Sequence, residues 1–139
     1  MSATSPAYAG PSTTAPSKGT LWTGRVLTVL VILLSLLDAF GKFARPVQVT
    51  DAFARLGLPI AMSLTIGVLL TLCTILYAIP RTAVLGAVLL TGYLGGAVAI
   101  HLRAGSPAFE MFFPVIFAGL AWLGIYLRYP ALRAVLPLC

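Results

Sequence analysis

The sequence predicts an all-α membrane protein, a bundle of four transmembrane helices with a short interfacial helix between helices 1 and 2. Of its 139 residues, 60% are hydrophobic and only 9% are charged, whereas soluble domains contain about 25% charged residues. Four runs with few charges each reach the roughly 20 residues that cross the hydrocarbon core of a bilayer. They are continuously apolar and longer than a barrel strand, which favours helices over a β-barrel. The predicted helices cover approximately 22–43, 58–79, 82–102 and 108–129.

Two tails flank a predicted membrane domain at residues 21–130. Residues 1–20 are rich in Ser, Thr, Pro, Ala and Gly, so they cannot form a core and we expect them to be disordered. They do not resemble a signal peptide, because they lack a basic start and the apolar run that follows is too long. Residues 131–139 are expected to form a short C-terminal tail.

The first predicted helix carries Trp22 at one interface and ends near Phe43, because Arg45 and Pro46 follow. In the next connection Thr50 and Asp51 favour the start of a short helix, and Gly57 favours its end. We expect this helix to lie on the membrane surface.

Small residues dominate the third predicted helix. Gly92 and Gly96 form a GxxxG pair, a spacing that permits close approach between helices in membranes. Together with Gly86 and Gly95 they are predicted to be helix-packing positions. We expect this helix to be the central one of the bundle.

Ionisable residues are predicted to gather at one end of the bundle. Helices 1 and 3 run in the same direction, so their C-terminal ends lie at the same face as the start of helix 4. The residues brought together in this way are Asp38, Lys42, His101, Arg103 and Glu110. Charged residues inside spans are costly and therefore require an explanation.

Two interpretations of this cluster remain open. Asp38 and Lys42 are four residues apart with the acid first, the better orientation for a helical ion pair, which suits a structural clamp. Alternatively, Asp38 and His101 titrate or bind a polar head group, since histidine changes charge near physiological pH. Arg103 also suits an anchor to lipid phosphates, and the helix dipole favours Glu110 in a first turn whatever its function.

Several function classes are excluded by missing patterns. The sequence has no phosphate-binding glycine loop, no GxSxG and no HExxH, so no catalytic residue is predicted. Cys73 and Cys139 lack CxxC spacing and there is a single histidine, so no metal site is predicted. The net charge of +6 is spread through the loops rather than along one stripe, which argues against nucleic acid.

Four segments carry a family resemblance: FGK at 40–42, FARLGLP at 53–59, IPRTAVLGAVLLTGYLGGAVAIHLRAG at 79–105 and LRYPALRAVLPL at 127–138. From about Leu27 to the C-terminus the chain resembles the DoxX-like family of small four-helix prokaryotic membrane proteins. The family is named after relatives of a thiosulfate:quinone oxidoreductase subunit, and other relatives are linked to oxidative-stress assemblies or to chaperoning of membrane partners. Members often carry a glutamate in the second helix where this chain has Leu70.

Three functions follow as hypotheses. The first is a non-catalytic subunit or assembly partner of a membrane complex, in contact with lipid and with other membrane proteins or a second copy. The second is a redox-associated subunit that binds quinone, the only cofactor left open, in a lateral pocket with apolar walls. The third is a carrier of protons or a small solute. The resemblance implies the bacterial cytoplasmic membrane, and five basic residues against four favour cytoplasmic termini.

Overall fold

The computed structural model describes residues 15–136, which form six helices and no strand. The helices are α1 (Lys18–Ala44), α2 (Val47–Arg55), α3 (Met62–Ala78), α4 (Ala83–Arg103), α5 (Ala108–Arg128) and α6 (Pro130–Val135). Helices α1, α3, α4 and α5 form a ring, in which α1 and α4 each pack against both α3 and α5. The third predicted helix, α4, is therefore not central, because each helix of the ring has two main neighbours.

Three helices, α1, α4 and α5, are long and apolar enough to cross a membrane. The fourth apolar helix, α3, has 17 residues. It begins later than predicted because residues from Pro59 onward form tighter turns, in which the Met62 N–H donates to the Pro59 carbonyl and the Ser63 N–H to the Ile60 carbonyl, both at 3.0 Å. A turn with hydrogen bonds between residues three apart therefore precedes α3 from Pro59 onward.

The first helix starts four residues before its predicted limit. Ser17 is the N-cap, and its hydroxyl accepts a hydrogen bond from the Thr20 N–H at 3.2 Å. Part of the predicted tail is therefore helical, while residues 1–14 lie outside the described residues. The helix ends at Ala44, within one residue of expectation, and Arg45 closes it in a left-handed conformation with a φ of 50°.

The short connecting helix α2 also starts earlier than predicted. Pro46 is its N-cap, so Thr50 and Asp51 lie within the helix and do not cap it. The fixed φ of Pro46 favours the start of a helix at this point, so α2 begins before Thr50 and Asp51 can cap it. Gly57 has the expected left-handed conformation, with a φ of 68°.

The predicted C-terminal tail contains α6. Pro130 occupies its first turn, and Arg133 donates from Nε to the Tyr126 carbonyl at 3.0 Å and from Nη2 to the Leu127 carbonyl at 2.8 Å. These bonds satisfy the last carbonyls of α5, which have no helical partner. Residues 137–139 lie outside the described residues.

The ring is tightest where α1 and α5 cross beside Tyr77. Tyr77 is fully buried, and its hydroxyl donates to the Ala121 carbonyl at 2.8 Å. A Cβ atom on Gly24 would lie 3.0 Å from the Gly124 carbonyl oxygen, and one on Gly86 would overlap the backbone of Tyr77. Glycine therefore permits these helices to approach, and we call this region the Tyr77 node, defined by Gly24, Tyr77, Gly86, Ala121 and Gly124.

Gly86→Ala is expected to destabilise the protein by about 1–3 kcal/mol, because the added methyl group must displace the α3 backbone. The measurement is thermal unfolding in mild detergent. Gly119→Ala is the matched control, since a Cβ on Gly119 meets nothing within 4 Å, and it should change stability by less than about 1 kcal/mol. Equal losses in the two variants would contradict the close approach at Gly86.

Candidate functional site

A cavity of about 580 Å³ opens at the end of the bundle opposite the Tyr77 node. Its walls come from α1, α2, α4, α5 and the α3 region, and they are mainly apolar. The apolar side chains include Leu34, Leu37, Ile66, Leu70, Leu94, Phe113 and Phe117. The polar lining residues are Ser35, Asp38, Lys42, Gln48, Tyr93 and His101. An apolar cleft with a few polar groups is the usual form of a small-molecule site.

Asp38 and Lys42 form an ion pair on the cavity wall, with 2.5 Å between Asp38 Oδ2 and Lys42 Nζ. The Lys42 side chain is only 12% exposed, whereas the Asp38 side chain is 55% exposed. The ammonium is therefore the sheltered partner of the pair and the carboxylate the exposed one. The Ser63 hydroxyl also donates to the Lys42 backbone carbonyl, which ties α1 to α3.

His101 and Glu110 form a second polar group beside the first. His101 Nδ1 lies 3.4 Å from Glu110 Oε2 and 3.1 Å from Ser106 Oγ. Arg55 Nη1 of α2 lies 4.0 Å from Glu110 Oε1. His101 lines the cavity and also a smaller, polar pocket of about 310 Å³ that contains Arg55 and Glu110. The hydrogen bond with Ser106 and the nearby Glu110 carboxylate both involve Nδ1, and together they orient the imidazole.

The five predicted residues therefore share one end of the bundle but form three separate contacts. Asp38, Lys42 and His101 line the same cavity. Arg103 lies elsewhere, and its Nη2 donates to the Leu56 carbonyl at 3.2 Å. Together with the Arg55–Glu110 pair, this bond holds α2 against the ends of α4 and α5.

Ser35, Gln48 and Tyr93 were not among the predicted site residues, although two of them carry a sequence signal. Ser35 lies three residues before Asp38, and Tyr93 lies eight residues before His101, so each shares a helical face with a predicted residue. Gln48 carries no such signal, because its position depends on where α2 folds back over the ring.

The predicted packing glycines of α4 divide into two groups. Gly86 lies against Tyr77 in the node, whereas a Cβ on Gly92, Gly95 or Gly96 would meet nothing within 4 Å. The GxxxG pair is therefore open on the outside of the described bundle and makes no close contact with another helix of residues 15–136.

Within residues 15–136 no group of three or more His, Cys, Asp or Glu side chains is arranged to hold a metal ion. The polar groups of the cavity comprise two hydroxyls, an amide, an imidazole and the Asp38–Lys42 ion pair, so they offer both donors and acceptors to a polar head group.

Comparison with known proteins identifies one family. The family model of the DoxX-like family matches residues 26–124, which include the whole cavity. The resembling segment at 127–138 lies beyond this match. Neither the search of curated proteins nor that of solved structures gave a significant match.

Asp38→Asn is expected to lower the free energy of unfolding by about 1–3 kcal/mol, because it leaves the sheltered Lys42 ammonium without a counter-ion. Lys42→Met should cost less, since the remaining Asp38 carboxylate is more than half exposed. Thermal unfolding in detergent measures both.

Asp51→Asn is the matched control for this pair, since the same chemical change is made at an exposed position of α2. It should leave the unfolding temperature unchanged. A loss in Asp51→Asn as large as that in Asp38→Asn would argue against a specific ion pair.

Proposed function

The chain belongs to the DoxX-like family, and from this premise we propose that it binds a lipid-soluble, amphipathic molecule in the cavity beside Asp38. The cavity is the observation that carries this proposal. It joins apolar walls to a small polar region, so it suits a molecule with a hydrophobic tail and a compact polar head.

The protein is a small integral membrane protein, and we propose that all four ring helices cross the bilayer. The outer surface of α3 supports a membrane environment, because large apolar side chains such as Leu64, Leu69 and Leu72 are half exposed there. Adding the turn from Pro59 brings the chain between Pro59 and Ala78 to about 20 residues, which is enough for a span.

Quinone is the ligand class that we favour. The redox hypothesis calls for a pocket with apolar walls, and the mainly apolar lining of the cavity beside Asp38 and His101 supports it. The protein would contribute binding and orientation, while redox chemistry would be supplied by the bound molecule. Leu70 is buried in the cavity wall, where the family resemblance implies a glutamate. The cavity therefore has no acid at this position of α3, which supports a binding role over proton transfer.

A second candidate, a subunit or assembly partner of a membrane complex, is favoured by the open glycine face of α4. Gly92, Gly95 and Gly96 present backbone at the outer surface, where another helix could approach closely. The two roles are compatible, because this glycine surface does not line the cavity.

We further propose that the protein lies in the bacterial cytoplasmic membrane with both termini in the cytoplasm. Five basic residues belong to the end of the ring that carries the termini: Lys18, Arg25, Arg81, Arg128 and Arg133. Four belong to the cavity end, and the excess, though small, supports this orientation.

Ala97→Phe is expected to abolish binding of a short-chain quinone, because the added ring enters the cavity that Ala97 lines. Binding is measured by isothermal titration of the protein in lipid nanodiscs with a decyl-substituted benzoquinone. Ala99→Phe lies on the exposed side of the same helix and should retain wild-type affinity. Equal binding by both variants, or none by the wild type, would refute the proposed function.

Gly96→Leu is expected to weaken association with a membrane partner or a second copy, because the larger side chain prevents close helix approach. The readout is the size and composition of the complex purified in mild detergent. Gly119→Leu, also at an open position, is the control. If Gly96→Leu and the wild type yield the same complex, the assembly role of this surface is wrong.

A further inference from the structure

Ser35 has a buried hydroxyl group that lacks a hydrogen-bond partner. The four buried polar residues of the described chain are Thr28, Ser35, Ser63 and Thr74. The hydroxyls of Thr28 and Thr74 each donate to the carbonyl four residues earlier at 2.8 Å, and Ser63 donates to Lys42. Ser35 is only 3% exposed, and its Oγ is the one such atom without a partner in residues 15–136.

The unpaired Ser35 hydroxyl is energetically unfavourable, and it lies in the wall of the cavity. Leaving a buried hydroxyl unpaired costs about 1–3 kcal/mol, and the i−4 carbonyl bond that Thr28 and Thr74 form is geometrically available to a serine in a helix. Ser35 is part of the cavity wall, one turn from Asp38 on the same face of α1. Its hydroxyl can rotate about χ1 among staggered positions, so a bound acceptor can select the one that faces it.

We infer that Ser35 is the anchoring hydrogen-bond donor of the cavity and that its ligand carries an uncharged carbonyl group. This inference rests on the proposed function and specifies the ligand class of the same site. The ligand passes its polar head beyond the Asp38–Lys42 pair and places the carbonyl oxygen at Ser35.

Depth argues against a phospholipid in this position. Ser35 lies nine residues before the end of α1, which is about 13 Å or two and a half turns along the helix. The charged head of a phospholipid stays at the membrane interface, since moving a charge to this depth is costly. Asp38 and Lys42 already neutralise each other, so a charged head would find no free counter-ion beside Ser35.

The test measures affinities of wild type and Ser35→Ala, in nanodiscs, for two probes with the same alkyl chain. One is decyl-substituted benzoquinone, with a neutral carbonyl head, and the other is an ether-linked decyl lysophosphatidylcholine, which has a charged head and no carbonyl group. Ser35→Ala should weaken binding of the quinone about 2- to 10-fold, the range expected for one lost hydrogen bond. Any binding of the lysophospholipid should be unaffected.

A stability measurement separates an anchoring role from a structural one. Without ligand, Ser35→Ala should unfold at the same temperature as the wild type or higher, because it removes an unpaired hydroxyl. Thr74→Val is the control: it removes a hydroxyl that is paired within α3 and lies outside the cavity, so it should lower stability and leave quinone affinity unchanged.

Three results would overturn the inference. If the quinone binds and Ala97→Phe blocks it, but Ser35→Ala has unchanged affinity, the anchor is wrong while the proposed function stands. If Ser35→Ala weakens the lysophospholipid as much as the quinone, the ligand class is wrong. Absence of quinone binding by the wild type would overturn both the inference and the proposed function.

Discussion

Close packing at the Tyr77 node determines how the rest of the bundle is arranged. Tyr77 is fully buried and links α3 to the α5 backbone through its hydroxyl, while its own backbone contacts Gly86 of α4. Gly24 and Gly124 bring α1 and α5 together beside it. In lipid, where apolar burial gives little drive for helix association, such small-residue contacts and internal hydrogen bonds are the main source of cohesion. With one end held by all four ring helices, the other end can contain a cavity without loss of the ring.

Four threonine hydroxyls of the bundle form their hydrogen bonds within their own helix. Thr28, Thr71, Thr74 and Thr91 return their hydroxyls to the carbonyl of the preceding turn, which requires no partner helix. The side chains of Asp38 and Lys42 likewise form an ion pair within a single helix, α1. Ser35 differs from every other buried hydroxyl of the described chain, because its Oγ has no hydrogen-bond partner.

Hydropathy predicted the number and order of the apolar helices, because a bilayer span requires a long uncharged run. Topology predicted that Asp38, Lys42 and His101 lie at one end, since alternating helix directions leave no other arrangement. The redox hypothesis included a pocket with apolar walls, but its size and its lining residues could not be predicted, because they depend on how the side chains of the four ring helices and of α2 pack. The exposure of Gly92 and Gly96 could not be predicted either, since a GxxxG pair permits close contact between helices but does not specify which helix makes it. The start of α2 was misplaced because Pro46 competed with two polar caps.

One consequence follows from the position of α2 outside the ring. This helix supplies a wall of the cavity, yet it is held mainly by Phe53 and by the bond between Arg103 and the Leu56 carbonyl. The residues that maintain the fold and those that shape this wall therefore belong to different parts of the chain. Substitutions in α2 can therefore change the shape of the cavity while the four-helix scaffold keeps its stability.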